Sequence, residues 1–184
     1  WKMGVRKLWR PERVMVAIDH RVPVMSVEHA GIHDEIRDWV SRFGITQFFD
    51  VGDSGISHQL QIEKGLVRPG MLVISKDVHA PNVGAVGALG IPLVYDVPAV
   101  LALGSAWLRV PETLRVNLHG QARPGVMPRD VAQHYCAAIG YEECDYRVVE
   151  WGGAYVDSLS IDGQPRVGPP ADAGGFRAGD VDAR

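Results

Sequence analysis

The sequence has 184 residues, 46% hydrophobic and 22% charged, with a formal net charge of −3. That length allows about one domain with a real core, and the scattered Lys and Arg, with a pI near 6.2, argue against a nucleic-acid or membrane-surface partner, which would call for a concentrated basic face. No apolar run approaches the ~20 residues that span a bilayer, and the basic first ten residues have no apolar signal region.

Two cysteines, Cys136 and Cys144, make no disulfide framework, so a reducing, cytoplasmic setting is the expectation. A chain that opens on Trp1 instead of Met is expected to be a fragment at its front end.

Arg13–Ile18 reads as a buried strand that runs into Asp19-His20. Ser26 is placed to cap a helix whose apolar residues Ile32, Ile36, Trp39, Val40 and Phe43 share one face, with Gly44 as its stop. Gln47–Val51 is strand-like, a short helix follows over Ile56–Lys64, and Met71–Ile74 is another short strand ending at Lys76-Asp77-Val78-His79. The Gly84–Gly90 stretch is rich in small residues that permit close backbone packing. Val97–Leu103 reads as a helix opened by Asp96 and Pro98, and Trp107–Val110 and Thr113–Leu118 as paired or sequential strands. Asp130–Ile139 is expected to be a helix, Tyr146–Trp151 a strand, and Tyr155–Ile161 a short helix or turn. Strands alternating with helices imply an α/β fold, a three-layer α/β/α domain with a largely parallel sheet. Its expected extent is residues 1–163. Residues 164–184 hold few large apolar side chains among Gly, Pro, Ala, Asp and Arg, and are expected to form a disordered or aberrant tail.

Three places share a design in which a strand or tight turn delivers a histidine: Asp19-His20, Ser57-His58-Gln59 and Asp77-Val78-His79. Ligands of open α/β sheets bind beyond the carboxyl ends of the strands, so these residues could converge on one cleft. A carboxylate beside an imidazole fixes its tautomer and stabilises its protonated form, which suits proton transfer to or from a hydroxyl. From residue types alone a metal site using the same His and Asp side chains is equally open. His29 and His33, one helical turn apart, are a weaker metal pair because their helix reads as mostly solvent-facing. His119 and His134 read as surface or edge residues, and Cys136 and Cys144 as thiols that are not cluster ligands.

The order of these motifs resembles the aconitase superfamily, and within it the large subunits of isopropylmalate dehydratase and homoaconitase. Ala17-Ile18-Asp19-His20 is similar to the family's early Asp-His motif, and Gly55-Ile56-Ser57-His58-Gln59 to its Gly-Ile-x-His segment. Glu63–Gly70 resembles the Glu-x-Gly-x-x-x-Pro-Gly turn, Asp77-Val78-His79-Ala80 stands where the family has Asp-Ser-His-Thr, and Gly84–Ala88 resembles its Gly-Ala-x-Gly-Ala. Val110–Thr113, Pro124–Met127, Arg129–Val131, Glu150–Gly153 and Leu159–Gly163 follow in order. The likeness covers about residues 13 to 163.

The resemblance implies a hydro-lyase that dehydrates and rehydrates a hydroxy di- or tricarboxylic acid, such as 3-isopropylmalate or homocitrate, with a [4Fe–4S] cluster as Lewis acid. It assigns Asp19 and His20 to protonating the departing hydroxyl, and His58 to a place near the hydroxyl or cluster, paired with acidic neighbours. Asp77 and His79 become a second Asp–His pair, and Glu150 a hydrogen-bonding group around the bound oxygen. It also implies a small, swivelling-domain subunit as partner, and cluster cysteines beyond residue 163, since no Cys-x-x-Cys occurs here.

Two departures stand out. Val78 replaces the family serine, a hydroxyl-to-isopropyl change worth about 1–3 kcal/mol if a partner is left unpaired. The sequence also leaves the family pattern at Gln164, which suggests a truncated or frame-shifted form. The alternative reading is a cluster-free, non-catalytic remnant or binding domain, and a weaker third is a mononuclear metal hydrolase.

Overall fold

The computed structural model describes residues 4–160 and 181–183, and the chain divides into two compact units, Trp1–Trp107 and Leu108–Arg184. In the first unit the order is β1 (Met15–Ala17), α1 (Val27–Phe43), β2 (Gln47–Phe49), α2 (Ser57–Glu63), β3 (Leu72–Ser75), β4 (Leu89–Pro92) and α3 (Val97–Leu103), with 3-10 turns at Pro11–Arg13 and Ala80–Val86. β1 runs parallel to β2 with Val16 opposite Phe48, and β3 runs parallel to β4 with Ile74 opposite Ile91.

α1 ends where the sequence says it should. The Ser26 side chain accepts from the His29 N–H at 3.2 Å, satisfying one of the orphan donors of the first turn. Gly44 turns left-handed at φ 65°, and its N–H caps the last carbonyls. The inner face of α1 closes on Leu8, Val40 and Ile45, joined by Ile36, Trp39, Phe43, Phe48 and Leu101. Val67, Val83 and Ala88 form a second, smaller cluster under β3 and the following 3-10 turn.

The second unit contains β5 (Glu112–Leu118), α4 (Pro128–Ile139), β6 (Arg147–Gly152), α5 (Ala154–Asp157) and β7 (Val181–Ala183). β5 is central, parallel to β6 and antiparallel to β7. Its core is Val116, Leu118, Tyr135 and Tyr155, with the Tyr135 and Trp151 rings edge to face at 4.9 Å.

The α/β class and the largely parallel pairing are as expected, and among the described residues the strands are arranged in three small sheets of two, two and three. Two local readings differ. Trp107–Val110 is not a strand: Trp107 and Val110 are 91% and 82% exposed, and Pro111, which has no N–H to give a ladder, precedes β5. β4 was hidden in the glycine-rich stretch because Gly90 and Pro92 carry weak strand propensity. Gly90 is there for space, since a Cβ would overlap the Ala80 carbonyl oxygen. The expected tail lies outside the described residues over 164–180. Among the described residues no helix is long and apolar enough to cross a membrane.

Candidate active site

Three chain segments of the first unit bring their polar ends together. The Ile18 N–H bonds to the Phe49 carbonyl at 3.0 Å, prolonging the β1–β2 ladder, and the Ile18 side chain is buried. The next residue, Asp19, is therefore held at the strand's carboxyl end. Its Oδ1 accepts from His20 Nδ1 at 2.7 Å, and its Oδ2 from the Ser57 N–H, at the start of α2, at 3.0 Å. One carboxylate thus ties the end of β1 to the helix that carries His58. Burial works against the Asp19 charge, but hydrogen bonds from Ser57 and His20 outweigh it and hold the carboxyl below its usual range. The same bond to Asp19 raises the His20 imidazole above its ordinary value. The His20 side chain is 90% exposed, so its outer nitrogen is open to a ligand. Arg21, at φ 59°, turns the chain away directly afterwards.

The end of β3 supplies the second carboxylate. Asp77 donates its N–H to Ser75 Oγ at 3.0 Å, which fixes the turn. Its Oδ1 accepts from the His79 N–H at 3.0 Å and from His79 Nδ1 at 2.8 Å. Its Oδ2 accepts from His58 Nδ1 at 3.0 Å. The two imidazoles stack, centroids 4.6 Å apart and planes at 25°. A single carboxylate therefore orients two rings, and both turn Nδ1 toward it, leaving Nε2 on the opposite side. Burial opposes the Asp77 charge, yet the bonds from His79 and His58 bring its pKa down to about 2.

Five of the six residues singled out in the sequence thus lie in two hydrogen-bonded groups, Asp19 with His20 and Asp77 with His58 and His79, joined where Asp19 holds the Ser57 N–H beside His58; the acidic partner of His58 is Asp77. Glu150 lies in the second unit, on β6, where it pairs with Arg115 of β5. Sequence reasoning missed the supporting groups. His33 is buried at 2% exposure, which corrects the solvent-facing reading of its part of α1. Its Nε2–H donates to the His20 carbonyl at 3.2 Å, so it anchors the backbone of the Asp-His motif. Arg37 of α1 grips Asp50 through Nε and Nη2 at 2.7 and 2.9 Å, and reaches Asp34 at 2.7 Å. That fork, strong in geometry, fastens α1 to the segment leading from β2 toward His58. An Arg and an Asp thirteen residues apart gave no periodic signal in the sequence.

One ligand atom each from His58, Asp77 and His79 lies within 4.8 Å of the others, close enough to hold a metal ion. An iron–sulfur cluster does not fit the residues of this chain. Its two cysteines are both in the second unit; Cys136 is exposed on α4, and Cys144 Sγ meets the Tyr135 hydroxyl at 3.4 Å. A separate cavity of about 280 Å³ in the second unit, framed by Arg109, Glu112, Tyr146 and Arg147, contains none of the singled-out residues. Its charges largely answer one another, Arg147 lying 3.7 Å from both Glu112 and Glu143.

The sequence is similar to those of known proteins. The aconitase family (aconitate hydratase) matches residues 2–168. The 3-isopropylmalate dehydratase large subunit of Herpetosiphon aurantiacus is 41% identical over 160 residues, 86% of this chain and 37% of that protein. The 3-isopropylmalate dehydratase large subunit 1 of Methanopyrus kandleri is 39% identical over 161 residues, 87% of this chain and 38% of that protein. A probable methanogen homoaconitase large subunit of Methanothermobacter thermautotrophicus is 33% identical, covering 89% and 38% respectively. The chain therefore spans about two fifths of the length of the curated relatives it matches. With its motifs, fold class and family match in agreement, this chain belongs to the aconitase family.

Proposed function

We propose that this chain supplies the proton-handling side of a hydro-lyase acting on a hydroxy di- or tricarboxylic acid, of the 3-isopropylmalate or homocitrate kind. The observation that carries the reading is the pair of carboxylate-held imidazole groups, His20 on Asp19 and His58 with His79 on Asp77. Breaking a C–O bond requires that the departing hydroxide receive a proton. His20 suits that role: Asp19 favours its charged form, and its exposed Nε2 faces away from Asp19. Re-addition of water reverses the transfer. His58 and His79, held in place by Asp77, would exchange hydrogen bonds with the substrate hydroxyl.

Glu150 joins this proposal through the family motif alone, as a hydrogen-bonding group near the same oxygen. The [4Fe–4S] cluster would need thiolates from outside this sequence, and the relatives' designation as large subunits supports a small-subunit partner. A reducing cytoplasmic setting suits such a cluster. Val78, 64% exposed between Asp77 and His79, offers an isopropyl group where the family motif has a hydroxyl. It favours a substrate whose branch is hydrocarbon. The same valine, with the lack of cluster ligands, is what favours the second reading, a cluster-free remnant or binding domain.

The test is to reconstitute the longest polypeptide carrying this segment, together with its small subunit, with iron and sulfide under anaerobic conditions. Alkene formation from branched hydroxy acids is then followed. Turnover of an alkyl-branched substrate is expected; a protein that takes up no iron and sulfide and turns over no hydroxy acid would favour the second reading.

A further inference from the structure

His58, Asp77 and His79 are used above as hydrogen-bonding groups, yet their arrangement has a second capacity that needs neither cluster nor turnover. We propose that they form a mononuclear site for one divalent transition-metal ion of the zinc or cobalt kind, bound by a ring nitrogen from each histidine and an oxygen of Asp77.

The donor set carries the argument first. Two imidazoles and one carboxylate suit Zn²⁺, Co²⁺ and Ni²⁺ more than Mg²⁺ or Ca²⁺, which favour all-oxygen shells. Geometry carries it next. The Nδ1 atoms stand 3.0 and 2.8 Å from the two Asp77 oxygens, and one donor atom from each of the three residues falls within 4.8 Å of the others. An ion with bonds of about 2.0–2.1 Å needs its donors only about 3.0–3.5 Å apart, so small side-chain rotations close the set. The backbone is already committed, because Asp77 is fixed by Ser75 and by the His79 N–H.

Charge and access agree. Asp77 is the anion of the trio, and the His79 side chain is 60% exposed against 20% for His58 and 28% for Asp77. One side of the site is therefore open to water, which would complete the ion's shell. The proton balance is simple. Each ring now donates its Nδ1–H to Asp77, and coordination through Nδ1 moves that proton to Nε2 by way of solvent, with no net loss. Because the ion occupies the atoms that the proposed hydro-lyase chemistry uses, metal and hydroxy acid would exclude one another.

The experiment is a titration of this 184-residue chain with Zn²⁺ by calorimetry and with Co²⁺ by visible absorption. One ion per chain is expected, with cobalt bands that report nitrogen and oxygen donors. Affinity should fall by about tenfold or more in His79→Ala and in Asp77→Asn, and stay unchanged in His134→Ala, whose imidazole is exposed on α4. His79→Ala is the decisive variant, since removing so exposed a side chain leaves the packing intact; circular dichroism checks both variants. Absence of saturable binding, or binding that His79→Ala leaves intact, overturns the site. Neither result bears on the hydro-lyase reading, which is tested by turnover of the cluster-loaded protein.

Discussion

In the second unit, Val116 and Leu118 of β5, Tyr135 of α4 and Tyr155 of α5 pack into one buried cluster against a single three-stranded sheet. In the first unit the strands pair two by two, and burial is split between the group around Leu8, Val40 and Ile45 and the group around Val67, Val83 and Ala88. Two-stranded pairs three or four residues long end soon after they begin. Their carboxyl termini leave Asp19-His20 and Asp77-Val78-His79 at the surface, with side chains that answer one another instead of a core. The unit with the fuller sheet also pairs polar groups with one another, Arg147 lying near both Glu112 and Glu143. Where packing is concentrated the residues hold structure, and where it is divided they are free for chemistry.

That contrast can be broken at either end. The largest effect expected is in the second unit: Leu118→Ala, at a side chain 3% exposed, should cost about 2–5 kcal/mol through lost transfer energy and the cavity left behind, read by urea unfolding. A cost within about 0.5 kcal/mol would mean that β5 is not the core this comparison makes it. The smaller effect lies in the first unit, where an NMR titration should place the His20 midpoint above the ordinary 6.5. Asp19→Asn should return it toward that value with little change in stability. The sign follows from the pairing: the stabilisation that His20 gains is complete below 6.5 and fades as pH rises through its raised folded value. A midpoint indifferent to Asp19→Asn would remove Asp19 as the cause. Asp77 works in the other direction, its contribution being present above the usual 3.8 and lost as pH falls toward about 2.

How much of this was legible in the sequence follows from the range of each signal. Local signals were clear: Ser26 and Gly44 bracket α1, and the strand-to-histidine pattern singled out Asp19, His20, His58, Asp77 and His79 without saying that they meet. Spacing could not tell which carboxylate serves which ring. His58 is nineteen residues from Asp77, and their bond depends on α2 docking beside β3, a tertiary fact. His33 was misjudged because a histidine on an amphipathic helix carries no mark of whether it faces water or, as here, the His20 carbonyl. Trp107–Val110 looked like a strand because apolar alternation does not reveal whether a partner strand exists. β4 stayed hidden because Gly90 satisfies a close approach to Ala80, at the expense of strand propensity.

The carboxylate-held histidines are the groups proposed to move protons on the substrate hydroxyl. The most direct measurement is kcat of the cluster-loaded, two-subunit protein carrying Asp77→Asn, a change that keeps the side chain's shape and removes the charge that orients both rings. A fall of about 10²-fold or more, with iron and sulfide content unchanged, is the predicted result. Turnover within about twofold of the unmodified protein would contradict the claim and leave the histidines without a catalytic part.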